Sequence, residues 1–141
     1  MVHSRLMAID YGLTKIGLAL TDQLRIIAQP FGTIQNISLK RSSCEVVEIA
    51  KEYHVITIVI GLPLSMNGSD NIMTNIVYKF KNTILLLTDI KVVTFDERLT
   101  TYQTKRILRE LGIRNKKKKY RLLEDQISAT LILQTYLESI T

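Results

Sequence analysis

Residues 6–22 read LMAIDYGLTKIGLALTD, and how this stretch is read decides the fold. Leu6 to Tyr11 is a short apolar run that closes on Asp10-Tyr11-Gly12, so it is expected to be a buried strand followed by a turn. Lys15 to Asp22 resumes strand-like composition after that turn, and about Phe31 to Gln35 follows with the same character. Together these form an antiparallel meander.

Farther along the chain the pattern changes. Ser38 to Tyr53 reads as a helix. Val55 to Ile60 is β-branched and apolar throughout, as expected for a strand covered on both faces, and Gly61-Leu62-Pro63 is expected to break it. Ser69 or Asp70 can cap a helix whose Ile72, Ile76, Phe80 and Ile84 form one buried stripe. Lys91 to Phe95 is another strand. Thr100 or Thr101 can cap the next helix, with Ile107, Leu108 and Leu111 inward and Gly112 ending it. A lysine-rich loop then leads to a last helix that starts near Asp125 and carries Ile127, Leu131, Ile132, Tyr136, Leu137 and Ile140. Helices between the later strands favour parallel pairing there. The expected fold is therefore α/β: a five-stranded mixed sheet, with a three-strand antiparallel meander plus two parallel strands, flanked by helices on both faces.

Composition narrows the function. The 141 residues suit a single domain, 1–141, and are too few for a two-lobed ATPase or a β/α barrel. One cysteine permits no internal disulfide, and with two histidines it leaves no Cys/His zinc site. Cys44 shares a helical stripe with Val47 and is expected to be a buried small hydrophobe. The longest near-apolar stretch, Val55 to Leu64, is too short to span a membrane, and no targeting segment is evident, so a soluble intracellular protein is expected. Gly61 to Asp70 is not a phosphate-binding P-loop, because Ser69 follows Gly68 where such a loop has lysine.

The net charge of +6 is unevenly placed. Residues 91–121 hold eleven of the 19 cations and three of the 13 acids, a local charge of +8 against −2 for the rest. Lys116, Lys117, Lys118 and Lys119, with Arg121, form the densest part, a field suited to a polyanion such as nucleic acid.

Acids stand at element ends. Asp10 closes the first strand, Asp96 and Glu97 close the last, and Asp125 opens the last helix. Ligands of open α/β sheets bind beyond the carboxyl ends of strands, where these groups can converge. Like charges so placed need a cation among them, and Mg²⁺ suits an all-oxygen donor set. Two such ions can activate water and hold the leaving oxygen of a phosphodiester. Taken singly, Asp10 also reads as a turn former and Asp125 as a helix-start acid. Strand alternation sends Asp96 and Glu97 to opposite faces, and the longer arm of Glu97 suits a strand-end ligand.

Four segments carry a family resemblance. Ile9-Asp10-Tyr11-Gly12-Leu13-Thr14-Lys15-Ile16-Gly17, Gly61-Leu62-Pro63-Leu64-Ser65-Met66-Asn67-Gly68-Ser69, Asp96-Glu97-Arg98-Leu99-Thr100 and Asp125-Gln126-Ile127-Ser128-Ala129 together resemble the YqgF, or RuvX, family. The last continues through Leu131 to Leu137. The resemblance implies an RNase H-like fold and a cytoplasmic nuclease using Mg²⁺ or Mn²⁺, with two ions. It implies Asp10, Glu97 and Asp125 as catalytic and metal-binding residues. Lys15, Arg98, Lys116 to Lys119 and Arg121 would position phosphates, and Gly12, Gly61 and Gly68 would permit close backbone approach. Thr14 and Ser128 depart from the family pattern, which often has a basic residue and alanine there. Three functions stay open: processing of the 5′ end of precursor 16S rRNA, cleavage of branched DNA as a Holliday junction resolvase, and non-catalytic nucleic-acid binding. The first is favoured, with the protein a monomer or weak homodimer. An actin-like ATPase, which shares the strand-Asp-x-Gly opening, is disfavoured by the single short domain.

Overall fold

The computed structural model describes residues 4–98, 100–112 and 118–140, with 101, 102 and 118–122 described by their backbone alone. In chain order the elements are β1 (Arg5–Tyr11), β2 (Lys15–Thr21), β3 (Ala28–Gln35), α1 (Leu39–Glu52), β4 (Val55–Leu62), α2 (Ile72–Leu87), β5 (Lys91–Asp96), α3 (Thr100–Glu110) and α4 (Lys118–Ser139). They form one sheet in the order β3-β2-β1-β4-β5. β1, β2 and β3 pair antiparallel, while β4 runs parallel to both β1 and β5. This is the five-stranded mixed sheet the sequence predicts, meander first.

Alternation along β1 divides the core. Met7 and Ile9 face α1 and α2, where they join Ile16, Leu18, Ile58, Ile60, Val46, Val77, Phe80 and Ile84. Leu6 and Ala8 face α4, with Ala19, Val59, Ala129, Ile132, Leu133 and Leu137. Asp10 continues the Leu6–Ala8 row, so the period of two places it on the α4 face. α4 crosses β1, β2 and β3, and α3 packs on α4. β4 lies between two strands with helices on either side, which is why its residues are apolar without alternation.

Several boundaries differ from the sequence expectation. β3 begins at Ala28, and β4 runs on through Gly61 and Leu62 because both pair with β5. The α2 cap is Asn71, not Ser69 or Asp70. Its side chain accepts from Thr74 N (3.0 Å) and donates to Pro63 O (3.0 Å) and Ser65 Oγ (3.2 Å), a bridge that an aspartate, lacking donors, cannot make. The buried face of α2 is Thr74, Val77, Phe80 and Ile84; Ile72 is 80% exposed. In α3 Leu108 is buried but Leu111 is exposed, and Gly112 ends the helix at φ +74. Cys44 is only half-buried; the buried α1 positions include Ser42 and Ser43. α4 starts at Lys118, seven residues before Asp125, and Ile140 at its end is exposed. Lysine is a good helix former, and a helix fans consecutive lysines around its axis, so a charged run need not be a loop.

These packing differences have a measurable consequence. Phe80→Ala should cost about 3–5 kcal/mol in urea unfolding, because it empties a fully buried site. Ile72→Ala, on the periodic stripe but in solvent, should cost less than about 0.5 kcal/mol.

Candidate active site

Two glycines on the α4 face build the site. Gly17 of β2 stands opposite Asp10 in the β1–β2 register. A Cβ at Gly17 would run into the backbone carbonyl of Asp125, with Asp125 Cβ 2.9 Å away. Having no side chain there lets α4 settle onto β2 and brings Asp125 level with Asp10. A Cβ at Gly61 of β4 would stand 2.5 Å from Glu97 Oε2 and 2.6 Å from Ile132 Cδ1. Gly61 thus leaves the space through which the Glu97 carboxyl reaches inward.

Glu97 follows β5 directly. Its N–H donates to Leu62 O (3.3 Å) and its carbonyl accepts from Thr100 N (3.0 Å), which turns the chain from strand to helix. The side chain is buried and hydrogen-bonded to Asp10. Asp96 points the other way. It is exposed, and both its oxygens are held by Arg98: Arg98 N donates to Oδ1 (3.0 Å) and Nε to Oδ2 (2.8 Å). The guanidinium also donates to Met66 O (2.9 Å). Arg98 therefore fastens the β4–α2 loop to the end of β5.

The carboxyls are electrostatically unlike ordinary surface acids. Asp10 is raised well above the usual carboxylate range, by burial first and then by repulsion from Glu97 and Asp125, with Glu124 adding to it. Burial, with repulsion from Asp96, pushes Glu97 up to about 7, while its hydrogen bond with Asp10 acts in the opposite direction. Asp125 is pushed up to about 6 by burial and by Glu124, and Lys15 pulls it back. Arg98 holds Asp96 below its usual value. Among the described residues, no three His, Cys, Asp or Glu groups stand ready-made in metal-ligand geometry. The donor set is nonetheless suited to a hard cation: all oxygen, crowded, and unable to ionise fully without a neutralising charge.

The other expected residues fall as follows. Lys15 acts on Asp125. Gly12 serves its own turn, since a Cβ there would strike the Lys15 carbonyl. Gly68 adopts φ +85 beside the Arg98 guanidinium, 3.5 Å from where a Cβ would stand. Lys116 and Lys117 lie outside the described residues; Lys118, Lys119 and Arg121 lie in the start of α4, without described side chains. Sequence reasoning passed over Gly17, although a glycine inside a strand signals close approach of another backbone. It also passed over Glu124, and it marked Ser128 only as a departure from the family pattern, whereas the Ser128 hydroxyl pairs with Thr104 Oγ1 at 3.0 Å and joins α4 to α3.

This sheet order, with acids at the ends of β1 and β5 and on the helix that crosses β1, is the RNase H-like fold. The RuvX family, described as Holliday junction resolvase, matches residues 4–139, and the chain belongs to that family. A protein of Endomicrobium trichonymphae named "Putative pre-16S rRNA nuclease" is 51% identical over 136 residues, covering 96% of each chain. A protein of the same name from Rickettsia peacockii (strain Rustic) is 38% identical over 138 residues, covering 98% of this chain and 88% of that one. Among solved structures, T. thermophilus RuvC in complex with a Holliday junction substrate shares the fold at TM-score 0.57 and 14% identity, covering 98% of this chain and 96% of that one. The fowlpox virus Holliday junction resolvase does so at TM-score 0.60 and 15% identity, covering 97% and 99%.

The raised carboxyls set a pH dependence. Glu97 and Asp125 hold their protons more tightly folded than unfolded, so their favourable contribution is complete below about pH 4 and is lost as pH rises through about 6 to 7. In chelator, Tm should fall across that window, and Glu97→Gln should flatten the fall. A Tm that rises from pH 4 to 7, in the wild type and the variant alike, would contradict this assignment. The glycines separate packing from chemistry. Gly17→Ala should destabilise by about 1–3 kcal/mol because backbone must yield, whereas Gly61→Ala meets only side-chain ends and should cost less while displacing the Glu97 carboxyl.

Proposed function

We propose that this chain is a metal-dependent endonuclease that hydrolyses phosphodiester bonds at the 5′ end of precursor 16S rRNA. The observation that supports the chemistry is the gathering of the three acids at one end of the sheet: Gly17, paired with Asp10, abuts Asp125, and Gly61 abuts Glu97. The substrate follows from the name borne by relatives 35% to 51% identical over nearly the whole chain. The working unit is the single domain 1–141, a monomer or weak homodimer in the cytoplasm. Among the described residues no helix is long and apolar enough to cross a membrane.

Asp10, Glu97 and Asp125 would hold Mg²⁺ or Mn²⁺, as two ions. When bound, the metal polarises the phosphoryl oxygen and makes water acidic enough to ionise near neutral pH. The chain's own residues govern when this happens. The three carboxyls release protons as the cation enters, so metal affinity rises with pH. Lys15, near enough to steady the Asp125 carboxylate, takes a non-bridging phosphate oxygen. Lys116 to Lys119 and Arg121 hold the flanking backbone without reading its sequence. Arg98 is largely committed to Asp96 and Met66, so its main work is to keep the loop and strand end together, with its outer N–H groups left for phosphate.

The deciding experiment sets precursor 16S rRNA beside a four-way DNA junction, with and without Mg²⁺ or Mn²⁺. Cleavage of the rRNA at its 5′ end only in the presence of metal is expected. Asp10→Asn, Glu97→Gln and Asp125→Asn should each lower kcat by more than the about 100-fold typical of losing a group that merely orients a metal ligand. Asp96→Asn should retain most activity. Cleavage persisting in chelator would overturn the metal dependence. Preferential cutting of the junction would favour the second reading, a DNA resolvase, which the family description supports.

A further inference from the structure

At the end of β5, on the α4 face, lies a cleft of about 460 Å³, lined by Met66, Phe95, Asp96, Arg98, Gln103 and Thr135 among others. Its size falls within the about 300–1,000 Å³ range of small-molecule sites. Its floor and the reactive carboxyl are covalently close: Phe95 precedes Glu97 by two residues along the same strand end. The Phe95 ring is fixed from behind by Tyr136, edge-on at 6.2 Å and 85°. Met66, also in the lining, is 79% in solvent, although its carbonyl is tied to Arg98. An exposed thioether on an anchored backbone is a movable cover. On α3, Gln103 faces solvent at the rim and carries both a donor and an acceptor. At Gln103 and Thr135 the cleft runs on into a shallower groove of about 370 Å³ between α3 and α4.

We infer that this cleft is a subsite for one unstacked nucleobase of the substrate strand, adjacent to the scissile phosphate. The inference rests on the nuclease reading above and adds what that reading lacks, a means of selecting a position along the strand. The chemistry is that of single-stranded recognition: an immobilised aromatic ring to stack on, an apolar cover above it, and an amide able to pair with a base edge. The Asp96–Arg98 ion pair forms a polar wall of the cleft. The continuation between α3 and α4 leaves a path for the neighbouring nucleotide. A strand bound this way must have its base out of the helical stack, so the site favours an unpaired residue flanking the cut over continuous duplex.

Two measurements test this. In the first, single abasic residues are scanned through the nucleotides around the cleavage position. Wild-type protein should lose about 10-fold in KM at one position, with kcat little changed, as expected for one lost stacking contact. Phe95→Leu and the solvent-facing Gln103→Ala should each raise KM for the intact substrate by about 3- to 10-fold and add nothing at that same abasic position. Losses that multiply equally at every position would overturn the subsite. The second measurement needs no cleavage. Single-stranded RNA carrying 5-iodouracil is photocrosslinked in Ca²⁺, which uses the same oxygen donors. The crosslink should fall on the peptide containing Phe95 or on that containing Met66. Its absence from both overturns the subsite even in an active nuclease. Its presence, with no cleavage in Mg²⁺ or Mn²⁺, supports the subsite while overturning the nuclease reading.

Discussion

Everything in the molecule depends on how closely α4 can lie against the sheet. Around the point of closest approach the residues are small: Ala8, Ala19 and Ala28 on the strands, Ala129 on the helix, and Gly17 where the backbone of Asp125 comes down, with Leu6, Val59, Ile132, Leu133 and Leu137 filling the rest of the interface. A larger side chain at Gly17 would lift the helix and carry Asp125 away from Asp10. Small residues bury little apolar area, so this face contributes less to stability than its central position suggests. The opposite face makes up the difference, with Met7, Ile9, Ile16, Leu18, Ile58, Ile60, Phe80 and Ile84 packed under α1 and α2. One side of the sheet supplies cohesion and the other supplies approach.

The site draws on that cohesion. Crowding Asp10, Glu97 and Asp125 opposes folding whenever they are ionised and unneutralised, which is a common mark of functional rather than structural acids. Asp96 and Glu124 add to that repulsion from outside the cluster, and the Asp96 share is tempered by its partner. Asp96, adjacent to Glu97 in the chain, is turned outward and neutralised by Arg98. An exposed ion pair of this kind is worth only about 0.2–1 kcal/mol, so its value is geometric. It orients the strand end so that Glu97, and not Asp96, enters the site. Through Met66 O it also fixes one side of the β4–α2 loop, while Asn71 and Thr74 hold Pro63 on the other.

Much of this was legible from residue order alone. The apolar run ending at Asp10, the unbroken β-branched strand at Val55, the stop at Gly112 and the acids at the ends of β1 and β5 all follow from local rules, and local rules operate within a few residues of chain; Asp125, read as a helix start, lies seven residues inside α4. Where two neighbouring elements compete for the same residue, those rules fail. Asn71 became the α2 cap because its amide also reaches Pro63 and Ser65, contacts that depend on the path of the loop. Thr74 and Val77 displaced Ile72 and Ile76 from the buried face of α2 because the direction from which the sheet approaches, not hydropathy, decides which arc of a helix is covered.

The sequence by itself determined the order of the elements, the mixed sheet and the row of β1 on which Asp10 stands, because each depends on periodicities of two or 3.6 residues that the chain carries locally. Only the tertiary structure decided that Gly17 and Gly61 are the openings through which Asp125 and Glu97 arrive, that Asp96 is excluded, and that Phe95, Met66 and Gln103 enclose a cleft beside them. Those outcomes belong to contacts between residues far apart in the chain. No periodicity encodes which surface will meet which, and the answer comes from the one packing that closes both faces of the sheet at once.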